Sequence, residues 1–221
     1  MTNIEQNLAA VREQVERASK VHDRNAASLL AVSKGMPEIA IRRAFSAGQH
    51  EFGESYLQEA LVKILATGDL PIVWHFIGPI QSNKTATIAE NFSWVHSVDR
   101  IKIAERLAAA RPEHLPPLNV CIQVNSSGEE SKSGVVPGDL ATLASAIAAL
   151  PRLTLRGLMT IPAPTTDFQT QRATFRGVRE QCEQLNRAGF FLDTLSMGMS
   201  DDLEAAIAEG ATIVRVGTAI F

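Results

Sequence analysis

Eight short runs of apolar and β-branched residues, spaced along almost the whole chain, limit the folds it can adopt. The runs cover residues 29–34, 51–53, 73–78, 94–98, 119–125, 156–161, 194–198 and 213–217. Segments with helical periodicity separate most of them, at 39–47, 55–65, 101–110, 140–150, 167–188 and 201–209. Strand and helix that alternate in this way imply a parallel sheet, and eight repeats in roughly 200 residues suit a closed (β/α)8 barrel. An open doubly wound sheet is the rival.

Ahead of the first run, Ile4, Leu8, Val11, Val15 and Ala18 recur at helical spacing, and Thr2 with Glu5 makes a capping-box pattern. The pattern predicts an amphipathic helix over about residues 3–20. Only Thr218-Ala219-Ile220-Phe221 follows the eighth run, so the helix due after it is missing, and the first helix is placed to fill that gap. No run leads into a GxGxxG turn, which counts against a dinucleotide-binding sheet. The expectation is an α/β protein, a single TIM-barrel domain over residues 1–221 with the N-terminal helix closing the ring.

Composition narrows the function. With 221 residues, 45% of them hydrophobic, the chain can bury one sizeable core. A net charge of −3 offers no basic stripe for a phosphate backbone, so nucleic acid is not an expected partner. The N-terminus lacks the basic start and apolar core of a secretory signal, and no apolar run is long enough to span a bilayer, which points to a soluble cytoplasmic protein. Cys121 and Cys182 make no disulfide framework or metal spacing and read as reduced packing residues.

In a barrel the site is built at the C-terminal strand ends, where Lys34, Glu54, Asn125, Ser196 and Thr218 emerge. Lys34 closes the run Ser28-Leu29-Leu30-Ala31-Val32-Ser33-Lys34 just before Gly35 and Pro37, and an amine at the mouth of a strand is a candidate nucleophile. The loops after strands 7 and 8 commonly form a phosphate site. Here Ser196 and Thr218 offer hydroxyls, and Gly198 and Gly217 let backbone N–H groups approach an anion. Ser200 reads as the cap of a helix that begins with Asp201-Asp202, whose charge would repel a phosphate. Alternation along strand 8 turns Arg215 inward, where it needs an anion or a carboxylate such as Glu54.

His75 and His96 sit among apolar residues on neighbouring strands. With Glu54 and Asp99 nearby they are candidate metal ligands, but core histidines are the better reading, because no second carboxylate cluster or HxH spacing supports a metal. The polar loop over 125–134, carrying Lys132, is either a solvated connection or a lid over the mouth.

Taken together, the stretches LLAVSKGMP, EFGESYLQEALVK, WHFIGPIQSNK, VNSSGEESKSG, GLMTIPAP and LSMGMSDDLEAAIAEGATIVRVGTAIF resemble the pyridoxal phosphate homeostasis protein family, and they span residues 29–221. Members of that family look like the barrel domain of fold-type III alanine racemases. The resemblance implies pyridoxal 5′-phosphate held as a Schiff base on Lys34, phosphate contacts from Ser196, Gly217 and Thr218, and Arg215 facing the pyridine nitrogen. A fixed positive charge there disfavours protonation of the ring and makes it a poor electron sink. The racemases' opposing base is a tyrosine on a further domain, whereas this sequence holds one tyrosine, Tyr56. The family reading is therefore a monomeric cofactor-holding protein of vitamin B6 homeostasis, with apoenzymes that use the cofactor as partners and without efficient catalysis.

The rival readings are a racemase or decarboxylase using Tyr56, His75 or Lys132, a cofactor-free Schiff-base aldolase, and a metal-dependent hydrolase. Two departures from the family pattern stand out. Ser55 replaces the usual Asn of FGEN, which keeps a cap with Gln58 but loses an amide toward the cofactor. The chain also ends just after GTAIF, where relatives run on through a short basic tail.

Overall fold

The apolar runs become parallel strands, with side chains facing the barrel interior on one side and helices on the other. A computed structural model describes residues 3–126 and 133–221. Its strands are β1 (Ser28–Val32), β2 (Glu51–Glu54), β3 (Val73–Phe76), β4 (Trp94–Val98), β5 (Leu118–Gln123), β6 (Leu153–Met159), β7 (Thr194–Ser196) and β8 (Ile213–Val216). They hydrogen-bond in the closed order β1-β2-β3-β4-β5-β6-β7-β8. The ring closes where Ser28, Leu29, Leu30 and Ala31 pair with Ile213, Val214, Arg215 and Val216. An open sheet is thereby excluded.

The helices are α1 (Ile4–Val21), α2 (Glu38–Ser46), α3 (Leu57–Ala66), α4 (Thr85–Asn91), α5 (Ile101–Ala110), α6 (Leu140–Ala148), α7 (Phe168–Arg187) and α8 (Leu203–Ala208). Ile4, Leu8, Val11, Val15 and Ala18 are all buried, and α1 packs on α2 and α8 in the slot left without a helix after β8. Such an apolar stripe removed from water is what holds a surface helix on its barrel.

Several local expectations need correction. The cap of α1 is Asn3, whose side chain accepts from the Gln6 amide at 3.2 Å; Thr2 lies outside the described residues. Ser55 does not cap α3, which begins at Leu57 behind Tyr56 with no side-chain cap. Ser200 does not cap α8 either, because that helix starts at Leu203 and Asp202 turns back to accept from the Met199 amide at 2.5 Å. Strands β1, β3, β5, β6 and β7 each stop two residues before their sequence-read ends, so Lys34 belongs to the turn after β1. The helix α4 was not anticipated, since only Thr85, Ile88 and Ala89 face its core and the period is too brief to read.

Two glycines are required by close approach. A Cβ on Gly157 would lie 1.7 Å from the Thr194 carbonyl oxygen, where β6 meets β7. Gly198 has φ +94, and a Cβ there would lie 2.6 Å from Ala206 Cβ, so the chain can fold from β7 onto α8 only with glycine.

Candidate functional site

The closing seam of the barrel brings three turns together at the C-terminal strand ends. The turn after β1 carries Lys34, the turn after β8 carries Gly217 and Thr218, and the loop after β7 runs through Gly198 and Ser200. Contact between the first two is direct, because a Cβ on Gly217 would lie 3.0 Å from the Val32 carbonyl oxygen. Lys34 is exposed, and its amine makes no hydrogen bond or ion pair among the described residues. The Thr218 and Ala219 amides, and that of Ser200, likewise donate no hydrogen bond among those residues. An amine and backbone donors without hydrogen bonds among the described residues thus occupy neighbouring turns at the seam. Ser55 follows β2 at partial exposure, with its backbone packed on Gly78.

Ser196 and Arg215 lie beneath this mouth. Arg215 is 3% exposed, and its Nη1 donates to the Ser196 carbonyl at 2.6 Å and the Ser196 hydroxyl at 2.7 Å, while Nη2 donates to the Thr160 carbonyl at 2.8 Å. Strong acceptors therefore satisfy the buried cation, and the expected pairing with Glu54 does not occur. Burial pulls the Arg215 pKa down to about 10, with Asp202 opposing, which leaves the guanidinium charged at neutral pH. Ser196 has no exposed surface, so its hydroxyl serves Arg215 and His96 rather than the open mouth.

A chain of hydrogen bonds runs on from the arginine. Guanidinium only donates, so Ser196 Oγ accepts from Arg215, and it shares a second hydrogen bond with His96 Nδ1 at 2.8 Å. His96 Nε2 and His75 Nδ1 share a third at 2.9 Å, one ring donating and the other accepting. Both rings stay neutral: burial pushes the pKa of His75 down to about 3 and that of His96 well below its usual value. His75 stacks on Trp94 with the rings 4° from parallel. The histidines are core residues bonded to each other, and no three potential metal ligands gather among the described residues. The candidate lid falls mostly outside the described residues, Lys132 included; its base closes through a bridge between Val124 and Val135.

One buried group escaped sequence reading. Lys63 on α3 is 5% exposed and donates to the Ser33 carbonyl at 2.6 Å, Glu54 Oε1 at 2.7 Å and Glu59 Oε1 at 2.5 Å. Its i,i+4 spacing from Glu59 looks like a solvated helix pair. The available signal was position, since Leu57, Ala60 and Lys63 share the buried stripe of α3. Desolvation raises the Glu54 pKa against the Lys63 and Ser33 hydrogen bonds.

Comparison with known proteins decides the family. Residues 6–221 match the family described as alanine racemase, N-terminal domain. The pyridoxal phosphate homeostasis protein of Pseudomonas aeruginosa is 59% identical over 223 residues, covering 100% of this chain and 96% of that protein. The protein of the same name from Vibrio cholerae is 52% identical, covering 100% of this chain and 96% of its own length. The chain belongs to the pyridoxal phosphate homeostasis protein family. Among solved structures, PipY of Synechococcus elongatus with pyridoxal phosphate bound matches with a TM-score of 0.88 at 38% identity, covering 99% of this chain and 100% of PipY. The barrel that the family motifs implied is thus the one observed. No helix among the described residues is long and apolar enough to cross a membrane.

Proposed function

We propose that this protein holds pyridoxal 5′-phosphate covalently on Lys34 and serves intracellular vitamin B6 homeostasis without efficient turnover of amino acids. The observation that carries the reading is that the exposed Lys34 and the Thr218 and Ala219 amides, none with a hydrogen bond among the described residues, lie on the neighbouring turns after β1 and β8. Those groups suit a ligand with an aldehyde at one end and a phosphate at the other. The PLP-bound structure of PipY, together with the names of the bacterial relatives, supports the same ligand. When bound, the cofactor supplies an aldehyde that masks one amine and a ring that can stabilise negative charge.

The chain's own residues then divide the work. Lys34 would supply the amine for the aldehyde, whose oxygen would leave as water. Gly217, Thr218 and the amides beside them bind phosphate at the seam, where glycine lets the backbone come close. Arg215, charged and locked from below, keeps the proton off the pyridine nitrogen and so weakens the ring as an electron sink. Ser196 holds Arg215 in place, and Ser55 borders the site from β2.

Catalysis would also need a base opposite Lys34. His75 cannot serve, being 1% exposed and neutral down to about pH 3. Tyr56 is 62% exposed, and its hydroxyl makes no hydrogen bond among the described residues. We read residues 1–221 as one cofactor-binding domain, cytoplasmic and monomeric, that passes its cofactor to apoenzymes.

Titration of the cofactor-free protein with pyridoxal phosphate, followed by absorbance, tests this reading alongside a screen of amino acids. One equivalent should bind with a new band near the visible, and racemisation and decarboxylation should stay at background. Turnover at an ordinary enzymatic rate would favour the racemase or decarboxylase reading instead.

A further inference from the structure

We propose that Lys63, Glu54 and Glu59 are positioning residues that fix the turn carrying Lys34. The inference rests on the reading of Lys34 as the attachment residue. Lys63 ties the Ser33 carbonyl, Glu54 accepts from the Ser33 hydroxyl at 2.6 Å, and Glu59 accepts from the Gly35 amide at 2.5 Å. The residues on both sides of Lys34 are therefore held by one network, while the Lys34 amine has no hydrogen bond or ion pair among the described residues.

Burial of such a network is not explained by stability. An apolar side chain in place of a buried ion pair is often neutral or better, because desolvation offsets the Coulombic gain. Leu57 and Ala60 show what the rest of this stripe uses. The three groups instead converge on residues 33–35, where Gly35 at φ +76 has no restraint of its own from a side chain. A covalent step depends on holding the reacting atom within a fraction of an ångström, and a 1 Å misplacement can cost about 10²-fold in rate. Rigid support of the turn is what such a step asks for.

Glu59 offers the cleanest handle, since its side chain is 34% exposed and its loss leaves Lys63 bonded to Glu54. Glu59→Ala removes the acceptor for the Gly35 amide, whereas Glu59→Gln keeps one. In cofactor-free protein, Gly35 amide exchange should rise about tenfold in Glu59→Ala and stay near the parent value in Glu59→Gln. With pyridoxal phosphate added, the rate of forming the borohydride-trapped adduct on Lys34 should fall about tenfold in Glu59→Ala and recover in Glu59→Gln. In a Lys34→Ala background, non-covalent affinity should not change when Glu59→Ala is added.

An unchanged rate of adduct formation in Glu59→Ala overturns the proposal. So does an equal loss of affinity in the Lys34→Ala background, which would make the network a support for the whole cleft. An adduct mapped to another lysine overturns the attachment reading and the proposal with it, and the labelled peptide tells that failure from the others.

Discussion

At the scale of single residues, Arg215 anchors the polar chain inside the barrel. Its guanidinium donates to the Ser196 hydroxyl, which is bonded in turn to His96 and through it to His75. Ser196→Ala should therefore leave the buried His96 Nδ1 without its partner, while Arg215 keeps its two carbonyls. The expected cost is about 1–3 kcal/mol, which in a chain of this length lowers Tm by several degrees; thermal unfolding followed by circular dichroism checks it. Residue-level chemistry was half legible in the sequence. Lys34 stood out because a strand end and a following glycine framed it, but Lys63 did not, because its burial comes from how α3 leans on the turn after β1.

Among elements, the β6–β7 seam is the place where packing leaves no room. Gly157→Ala would drive a methyl group into the Thr194 carbonyl, forcing the strands apart. We expect a loss of about 3 kcal/mol, read as a lower urea midpoint, with α1 and the β1–β8 seam keeping their amide protection. The periodic elements were legible: α1, α5 and α7 came within a residue or two of their observed ends because long apolar stripes average out local noise. Ends and caps were not. Ser55 and Ser200 have cap chemistry, yet the backbone at both places is committed elsewhere, Ser55 under Gly78 and Ser200 in the turn that Asp202 closes. Tertiary contacts overrode the local preference at both.

For the molecule as a whole, the neutral histidines inside the barrel set a pH dependence. The unfolded chain binds protons on His75 and His96 below about pH 6.5, whereas folded His75 stays neutral down to about pH 3. In that window the unfolded state holds more protons, so stability falls as pH falls and is fully present above about pH 6.5. Each histidine contributes a slope of about 1.4 kcal/mol per pH unit. Urea unfolding between pH 7 and 5 should show the slope, and His75→Gln should remove about half of it. Barrel closure was legible from the count and spacing of the apolar runs, because a ring of strands needs little besides buried, alternating elements of similar length. The interior was not, since periodicity shows which residues face inward without showing which of them meet.

The central claim is that the amine at the mouth holds the cofactor, and it is tested most directly by borohydride reduction of the pyridoxal phosphate complex followed by peptide mass mapping. A single pyridoxyl phosphate group on Lys34, absent from Lys34→Ala, is the expected result. Label on any other lysine, or full binding with no reducible link, would contradict it.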